Sequence, residues 1–124
     1  MPVVVKRIVS NLAAESVDVV RAFYAELFDL EVAMDLGWIV TLASTEVAAV
    51  QLSIATEGGS STPVPDVSIE VDDVDTVYAR AKAGGHKIVY DLTQEPWGVR
   101  RFYVADPTGK ILNVLQHSSR DGSG

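Results

Sequence analysis

One order of elements, strand, helix, then three strands, can be read twice along the chain, over residues 1–57 and again over 66–118. Residue matches at corresponding places support the repeat: Phe23-Tyr24-Ala25 with Val77-Tyr78-Ala79, Gly37 with Gly98, and Val50-Gln51-Leu52 with Leu112-Asn113-Val114. Half a chain of this size with one helix is marginal alone, because a short polymer covers too little of its own apolar surface. Two such halves relieve the problem when one covers the sheet of the other.

The elements follow from local chemistry. Residues 3–10 are rich in β-branched side chains and read as a strand, with a turn over 11–15. Ser16 caps a helix in which Val17, Val20, Tyr24, Leu27 and Phe28 recur at helical spacing. Strands are expected at 31–35, 38–44 and 47–54. In the last of these, Val50, Leu52 and Ile54 alternate with Ala49, Gln51 and Ser53, so one face meets a core and the other is free. Residues 56–65 are mostly Gly, Ser, Thr and Pro, which makes 58–65 a linker between modules. The second half opens with a strand at 66–71. Asp73 caps a helix carrying Val74, Val77, Tyr78 and Ala81 on one stripe, and Gly84-Gly85 ends it. Strands at 86–92, 99–105 and 111–117 complete it. The last two form a hairpin through Asp106-Pro107-Thr108-Gly109, and 119–124 is a polar tail.

Composition excludes several classes of function. A net charge of −7 with scattered Lys and Arg offers no basic stripe for a nucleic acid. Without cysteine there is no disulfide framework and no thiolate nucleophile or ligand. No apolar run approaches the ~20 residues of a membrane span, and the first residues lack a signal-peptide pattern, so a cytoplasmic protein is expected. Gly58-Gly59-Ser60-Ser61 lacks the lysine of a phosphate loop. Asp72, Asp73 and Asp75 suit the cap and first turn of a helix better than a metal site.

Phe23-Tyr24 followed by Leu27-Phe28-Asp29-Leu30, then Val71-Asp72-Asp73-Val74-Asp75, then Trp97-Gly98-Val99-Arg100-Arg101-Phe102 through Asp106-Pro107-Thr108-Gly109 together resemble the vicinal oxygen chelate superfamily. That superfamily includes glyoxalase I, extradiol dioxygenases, and fosfomycin- and bleomycin-resistance proteins. The resemblance spans residues 3–117 and implies an α+β fold of two βαβββ modules whose curved sheets surround a cleft, commonly in a homodimer. Enzymatic members hold one divalent metal through the first and last strands of each module. Setting Val71 against Val9 carries those positions onto Val4, Gln51, Asp66 and Asn113.

Valine has no donor atom, and neutral amide oxygens hold zinc or iron poorly beside carboxylates and imidazoles. The expectation is therefore no cofactor, the alternative being one divalent metal if a two-residue shift brings in Glu70 or His117. The two histidines do not restore the site by spacing, since His117 lies about 13 Å along a strand from Asn113 and His86 follows the helix-ending glycines.

The amides of Gln51 and Asn113, the charge of Asp66, and Trp38 and Trp97 as aromatic walls are instead candidates for binding a small molecule. Arg100 is a further candidate, although alternation sends Arg100 and Arg101 to opposite faces and leaves open which one meets the ligand. The expected function is sequestration of an aromatic or cationic compound, as in the bleomycin-resistance branch, without catalytic residues. The alternative is a metal-dependent lyase, isomerase or dioxygenase of the same superfamily.

Overall fold

The structure, a computed structural model, describes residues 2–44 and 51–118. The expected start of the fourth strand at 47–50, Ala49 with it, and the tail at 119–124 lie outside the described residues. The elements run β1 (Val5–Ala13), α1 (Val17–Phe28), β2 (Glu31–Asp35), β3 (Ile39–Ala43), β4 (Gln51–Ala55), β5 (Val67–Val71), α2 (Val74–Ala83), β6 (Ile88–Glu95), β7 (Val99–Ala105) and β8 (Ile111–His117). This is the βαβββ order twice, and the strand order within each copy is the same. β2-β3-β4-β1 in the first matches β6-β7-β8-β5 in the second, with β1/β4 and β5/β8 parallel and the other ladders antiparallel.

Two compact units emerge, one of Val9–Val64 and one of Met1–Ile8 with Pro65–Gly124. The first eight residues belong with the second half for a clear reason. The Val4 N–H donates to Asp72 Oδ1 at 3.0 Å, the Asp72 N–H returns a bond to the Val4 carbonyl at 3.1 Å, and Val3 packs on that half's core. Each unit has an apolar cluster of its own. In the unit of residues 9–64 it is Val17, Val40, Leu42 and Ile54, with Leu12 and Tyr24 beside them. In the other it is Val71, Val74, Ala81, Phe102 and Val114, and the Tyr78 ring meets Phe102 edge-on at 5.2 Å.

Both helices start where a side-chain acceptor meets the first free N–H groups. Ser16 accepts from Val19, and Asp73 accepts from Thr76 through both the backbone and the hydroxyl. α2 ends at Gly84 and Gly85, the latter at φ +74°, a conformation that favours glycine. No helix among the described residues is long and apolar enough to cross a membrane.

Three local expectations change. β1 continues through the residues expected to turn, because Asn11, Leu12 and Ala13 pair with Ser53, Ile54 and Ala55 and Leu12 packs on the core. β6 reaches Glu95, whose side chain is buried. The Gly/Ser linker is folded back on itself: Gly58 N–H reaches the Thr62 carbonyl at 2.8 Å, and the Thr62 hydroxyl bonds the Gly59 carbonyl at 2.7 Å.

The β7–β8 hairpin is closed by one carboxylate oxygen. Asp106 Oδ1 accepts from the Thr108 N–H, the Thr108 hydroxyl and the Lys110 N–H, at 2.8, 2.7 and 2.9 Å, while Gly109 takes φ +89°. These bonds, the Thr108 hydroxyl foremost, hold the Asp106 carboxyl below its usual range. A carboxyl whose folded pKa is depressed contributes stability in full above its unfolded value near 3.9, and loses that contribution as pH falls through the folded value. Asp106→Ala is expected to lower the melting temperature at pH 7, and the gap to the parent protein is expected to narrow as melts are recorded from pH 4 downward.

Candidate functional site

Strand alternation gives the sheet of the second unit two faces of different character. Toward α2 it turns Ile69, Val114 and Phe102, which are register partners across β5, β8 and β7. The opposite face carries the row Ser68, Asn113, Tyr103 and Tyr90, and beside it Glu70, Leu115 and Arg101. This polar-aromatic face is the candidate site.

Its centre is an ion pair closed off from water. Arg101 Nε lies 2.7 Å from Glu95 Oε2, with 3% and 2% of the two side chains exposed. Tyr90 donates its hydroxyl to the same carboxylate oxygen at 2.9 Å, and a guanidinium N–H of Arg101 donates to the Tyr103 hydroxyl at 3.2 Å. The guanidinium carbon is 5.0, 5.1 and 5.3 Å from the ring centres of Tyr103, Trp97 and Tyr90. Three aromatic faces and a carboxylate thus replace the water that the cation gave up.

Next to this cage, Asn113 is 8% exposed and donates its amide N–H to Ser68 Oγ at 3.1 Å. Its Oδ1 is buried with no hydrogen-bond partner among the described residues. Rotating the amide by half a turn would only transfer the deficit to the nitrogen. Further along the same face Glu70 lies between His117 and Arg7. Its Oε2 is 3.0 Å from His117 Nδ1, and its Oε1 is 3.1 Å from Arg7 Nε, off the N–H axis, so the latter is a charge contact and not a hydrogen bond.

The register also corrects the repeat. Leu12 pairs with Ile54 and Ile69 with Val114, and both lie five residues before the first residue of their helix. Leu12 therefore matches Ile69, which sets Val71 against Ala14 and Asp66 against Val9, a buried aliphatic, where the residue matches had chosen Val4. On the last strands Ser53, partner of Thr41, matches Asn113, partner of Tyr103, two residues on from Gln51. Gln51 shares the Ser53 face of β4. The matched positions thus hold Val9, Ser53, Asp66 and Asn113. The Ser53 hydroxyl is bonded to that of Thr41 at 2.7 Å, and Asp66 Oδ2 accepts from the Ile111 N–H at 2.8 Å. An aliphatic, a satisfied hydroxyl, a carboxylate already bonded to backbone and a neutral amide do not fit a divalent metal of the zinc or iron type. No group of three or more His, Cys, Asp or Glu side chains among the described residues could hold one.

The remaining candidates divide. Trp97 walls the cage around Arg101, while Trp38, at the start of β3, belongs to the other unit, as does Gln51. Arg100 lies on the α2 side of the sheet, where its Nη2 meets Asp75 Oδ1 at 2.9 Å, an interaction that raises its pKa. The arginine on the site face is Arg101. Sequence reasoning did not single out Glu95, Tyr90 or Tyr103. The alternation of β7 could have placed Tyr103 with Arg101, but nothing in the order of residues announces that Glu95 is buried against them.

A family model of the glyoxalase-like domain matches residues 8–118. The chain belongs to the glyoxalase-like domain family. No curated protein sequence matches it. Solved structures share the fold of this glyoxalase-like domain. A glyoxalase/bleomycin resistance protein/dioxygenase superfamily member from Vibrio splendidus 12B01 is 22% identical, with 91% of this chain and 99% of that one covered at a TM-score of 0.61. A Streptomyces coelicolor methylmalonyl-CoA epimerase variant in complex with 2-nitronate-propionyl-CoA is 17% identical, covering 94% and 100% at 0.70. A Legionella pneumophila protein described as an NAD-dependent benzaldehyde dehydrogenase is 14% identical, covering 90% and 100% at 0.74. At these identities the likeness is one of fold. The resemblance read from the sequence therefore holds at the level of the superfamily and its paired βαβββ architecture.

The buried pair yields a test. Arg101→Met leaves Glu95 charged without its cation, and is expected to cost about 3–5 kcal/mol in urea unfolding, whereas Arg101→Met with Glu95→Leu recovers most of that loss.

Proposed function

We propose that this glyoxalase-like domain binds a small molecule on the polar-aromatic face of its second module, without a catalytic metal. The observation that carries the reading is the buried, unpartnered Asn113 Oδ1 on a face otherwise held in place by hydrogen bonds. A buried acceptor without a donor costs roughly 1–3 kcal/mol, and a ligand N–H or O–H would recover that cost on binding. The ligand accordingly carries a donor. A planar or cationic body suits the aromatic rings at the site and the net charge of −7. Sequestration of such a compound by a homodimeric protein, in the manner of bleomycin-resistance proteins, is the corresponding role. Asp66 and Trp97 stay in the proposal as residues of this unit that line the ligand, Trp38 and Gln51 belong to the other unit and are not part of this face, and Arg100, bonded to Asp75 on the helix side, leaves it in favour of Arg101.

One observation favours a second reading, a metal-dependent lyase, isomerase or dioxygenase. Glu70 and His117 put a carboxylate and an imidazole 3.0 Å apart on the same face as Asn113. Two donors fall short of a catalytic set, and the Arg7 cation already occupies the carboxylate.

Thermal melts separate the two readings, because anything that prefers the folded state raises the melting temperature. A panel of planar amines and phenols is expected to contain a stabilising compound, with Ni²⁺, Zn²⁺, Mn²⁺ and Fe²⁺ giving no shift. Stoichiometric metal in the purified protein, lost in Glu70→Ala and His117→Ala, would favour the second reading. Asn113→Leu is expected to keep or raise stability, since it removes the unsatisfied acceptor, and to weaken the stabilising compound about tenfold, equivalent to 1.4 kcal/mol. Unchanged affinity in that variant would remove Asn113 from the site.

A further inference from the structure

The two histidines of the chain stand in opposite settings. The His86 ring is folded over Gly84 at the end of α2, its Cδ2 and Nε2 lying 2.9 Å from where a Cβ on that glycine would stand. His117, at the end of β8, instead has its Nδ1 3.0 Å from Glu70 Oε2, and 49% of its side chain is exposed. Its Nε2 has no partner among the described residues.

The contact with Glu70 fixes which ring nitrogen carries the proton. A carboxylate only accepts, so Nδ1 must donate, and the neutral imidazole is left with its lone pair on Nε2. Glu70 has little freedom to release the ring. Its other oxygen lies 3.1 Å from Arg7 Nε on β1, its side chain is 16% exposed, and the parallel ladder sets it beside Leu115 of β8. The ring's neighbours on the same face are apolar: Leu115 two residues back, and Val99, the register partner of His117 on β7, both buried. A basic nitrogen is thus presented beside an apolar floor, on the face that also carries Asn113 and the aromatic cage.

We propose that Glu70 and His117 form a general-base pair that needs no metal, His117 Nε2 removing a proton from a planar acid whose C–H, N–H or O–H group is activated by conjugation. Glu70 is the positioning residue, holding the ring in the tautomer that can accept. The choice of a planar substrate rests on the reading of this face as a ligand site. The base itself does not depend on Asn113, which lies about 13 Å back along β8 at ~3.3 Å per residue.

The test uses 5-nitrobenzisoxazole, a planar carbon acid, with EDTA present at about pH 8, where an ordinary imidazole is neutral. Nε2 takes the ring C–H proton, that electron pair becomes the third bond between carbon and nitrogen, the N–O bond breaks, and the oxygen leaves with its pair as a coloured cyano-nitrophenolate. The imidazolium then returns the proton to water. The parent protein is expected to exceed an equal concentration of free imidazole by about tenfold or more. His86→Gln is expected to keep this rate, and His117→Gln to lose the excess. Glu70→Gln keeps the shape of the side chain, but with Arg7 holding its oxygen it turns the NH₂ toward Nδ1, which reverses the tautomer. It is expected to lose the excess rate with an unchanged circular dichroism spectrum. Nitrogen-15 spectra of the parent protein give a readout that needs no variant: His117 is expected to show a protonated Nδ1 and an unprotonated Nε2.

A parent rate no higher than that of imidazole, a rate abolished by EDTA, a Glu70→Gln protein as fast as the parent, or a His117 protonated on Nε2 in its neutral form would each overturn the proposal. Its failure is separable from that of the binding reading. A compound that raises the melting temperature in a protein without turnover defeats the base pair alone, whereas turnover in a protein that no compound stabilises upholds the pair and defeats the binding reading.

Discussion

The second module is built around a cation that has left water. Burying a guanidinium costs several kcal/mol even after the surroundings relax, and the Glu95 carboxylate alone would not offset that, since its own desolvation adds to the cost. The remainder comes from geometry: the Tyr90 and Tyr103 hydroxyls bond to the pair, and three ring faces lie against Arg101. These partners come from β6, β7 and the turn between them, so the pair fixes how those segments meet. The adjacent Asn113 then stands on a face whose neighbours have little freedom to turn and satisfy it. An unsatisfied acceptor persists where relaxation is prevented.

Much of the architecture was legible because its signals are local and strong. β2, β7 and β8 fall on the residues the alternation assigned to them, and both helices begin one residue after the Ser16 and Asp73 caps. What misled was chemistry that depends on a distant partner. Asn11 looks like a turn residue, yet the parallel ladder to β4 keeps it in a strand. The Gly/Ser segment looks like a loose connector, yet Thr62 folds it into a bonded turn. Matching Gln51 to Asn113 relied on amide resembling amide. Hydrogen-bond register is set by the whole sheet, and it chose Ser53.

The same limit governed the site. The face of Asn113 could be inferred from the period-two pattern of β8, and Arg101 was one of two arginines on opposite faces. The identity of the buried one depended on Asp75, which lies on α2 and draws Arg100 to the helix side. The burial of Glu95 depends on Tyr90 and Arg101 reaching it together. Side chains that complete one another across bulged strands leave no periodic trace, and β6 carries two such irregularities. The two copies of the repeat have meanwhile diverged in opposite ways: the second holds a charged cage, and the first sets a hydroxyl pair, Thr41 with Ser53, at the matched row.

That β1 begins in one compact unit and ends in the other bears on how the protein can be dissected. The Gly/Ser segment looks like the natural place to divide the chain. A fragment starting there, however, would lack the residues that bond Asp72 and pair with Glu70, and would expose the flank of β5 to the pairing of any free strand. The break that respects the packing falls inside a strand, between Ile8 and Val9, where no enzyme or engineer would choose to cut. Sequence halves and physical halves are therefore offset by eight residues, and the overlap makes each dependent on an intact chain.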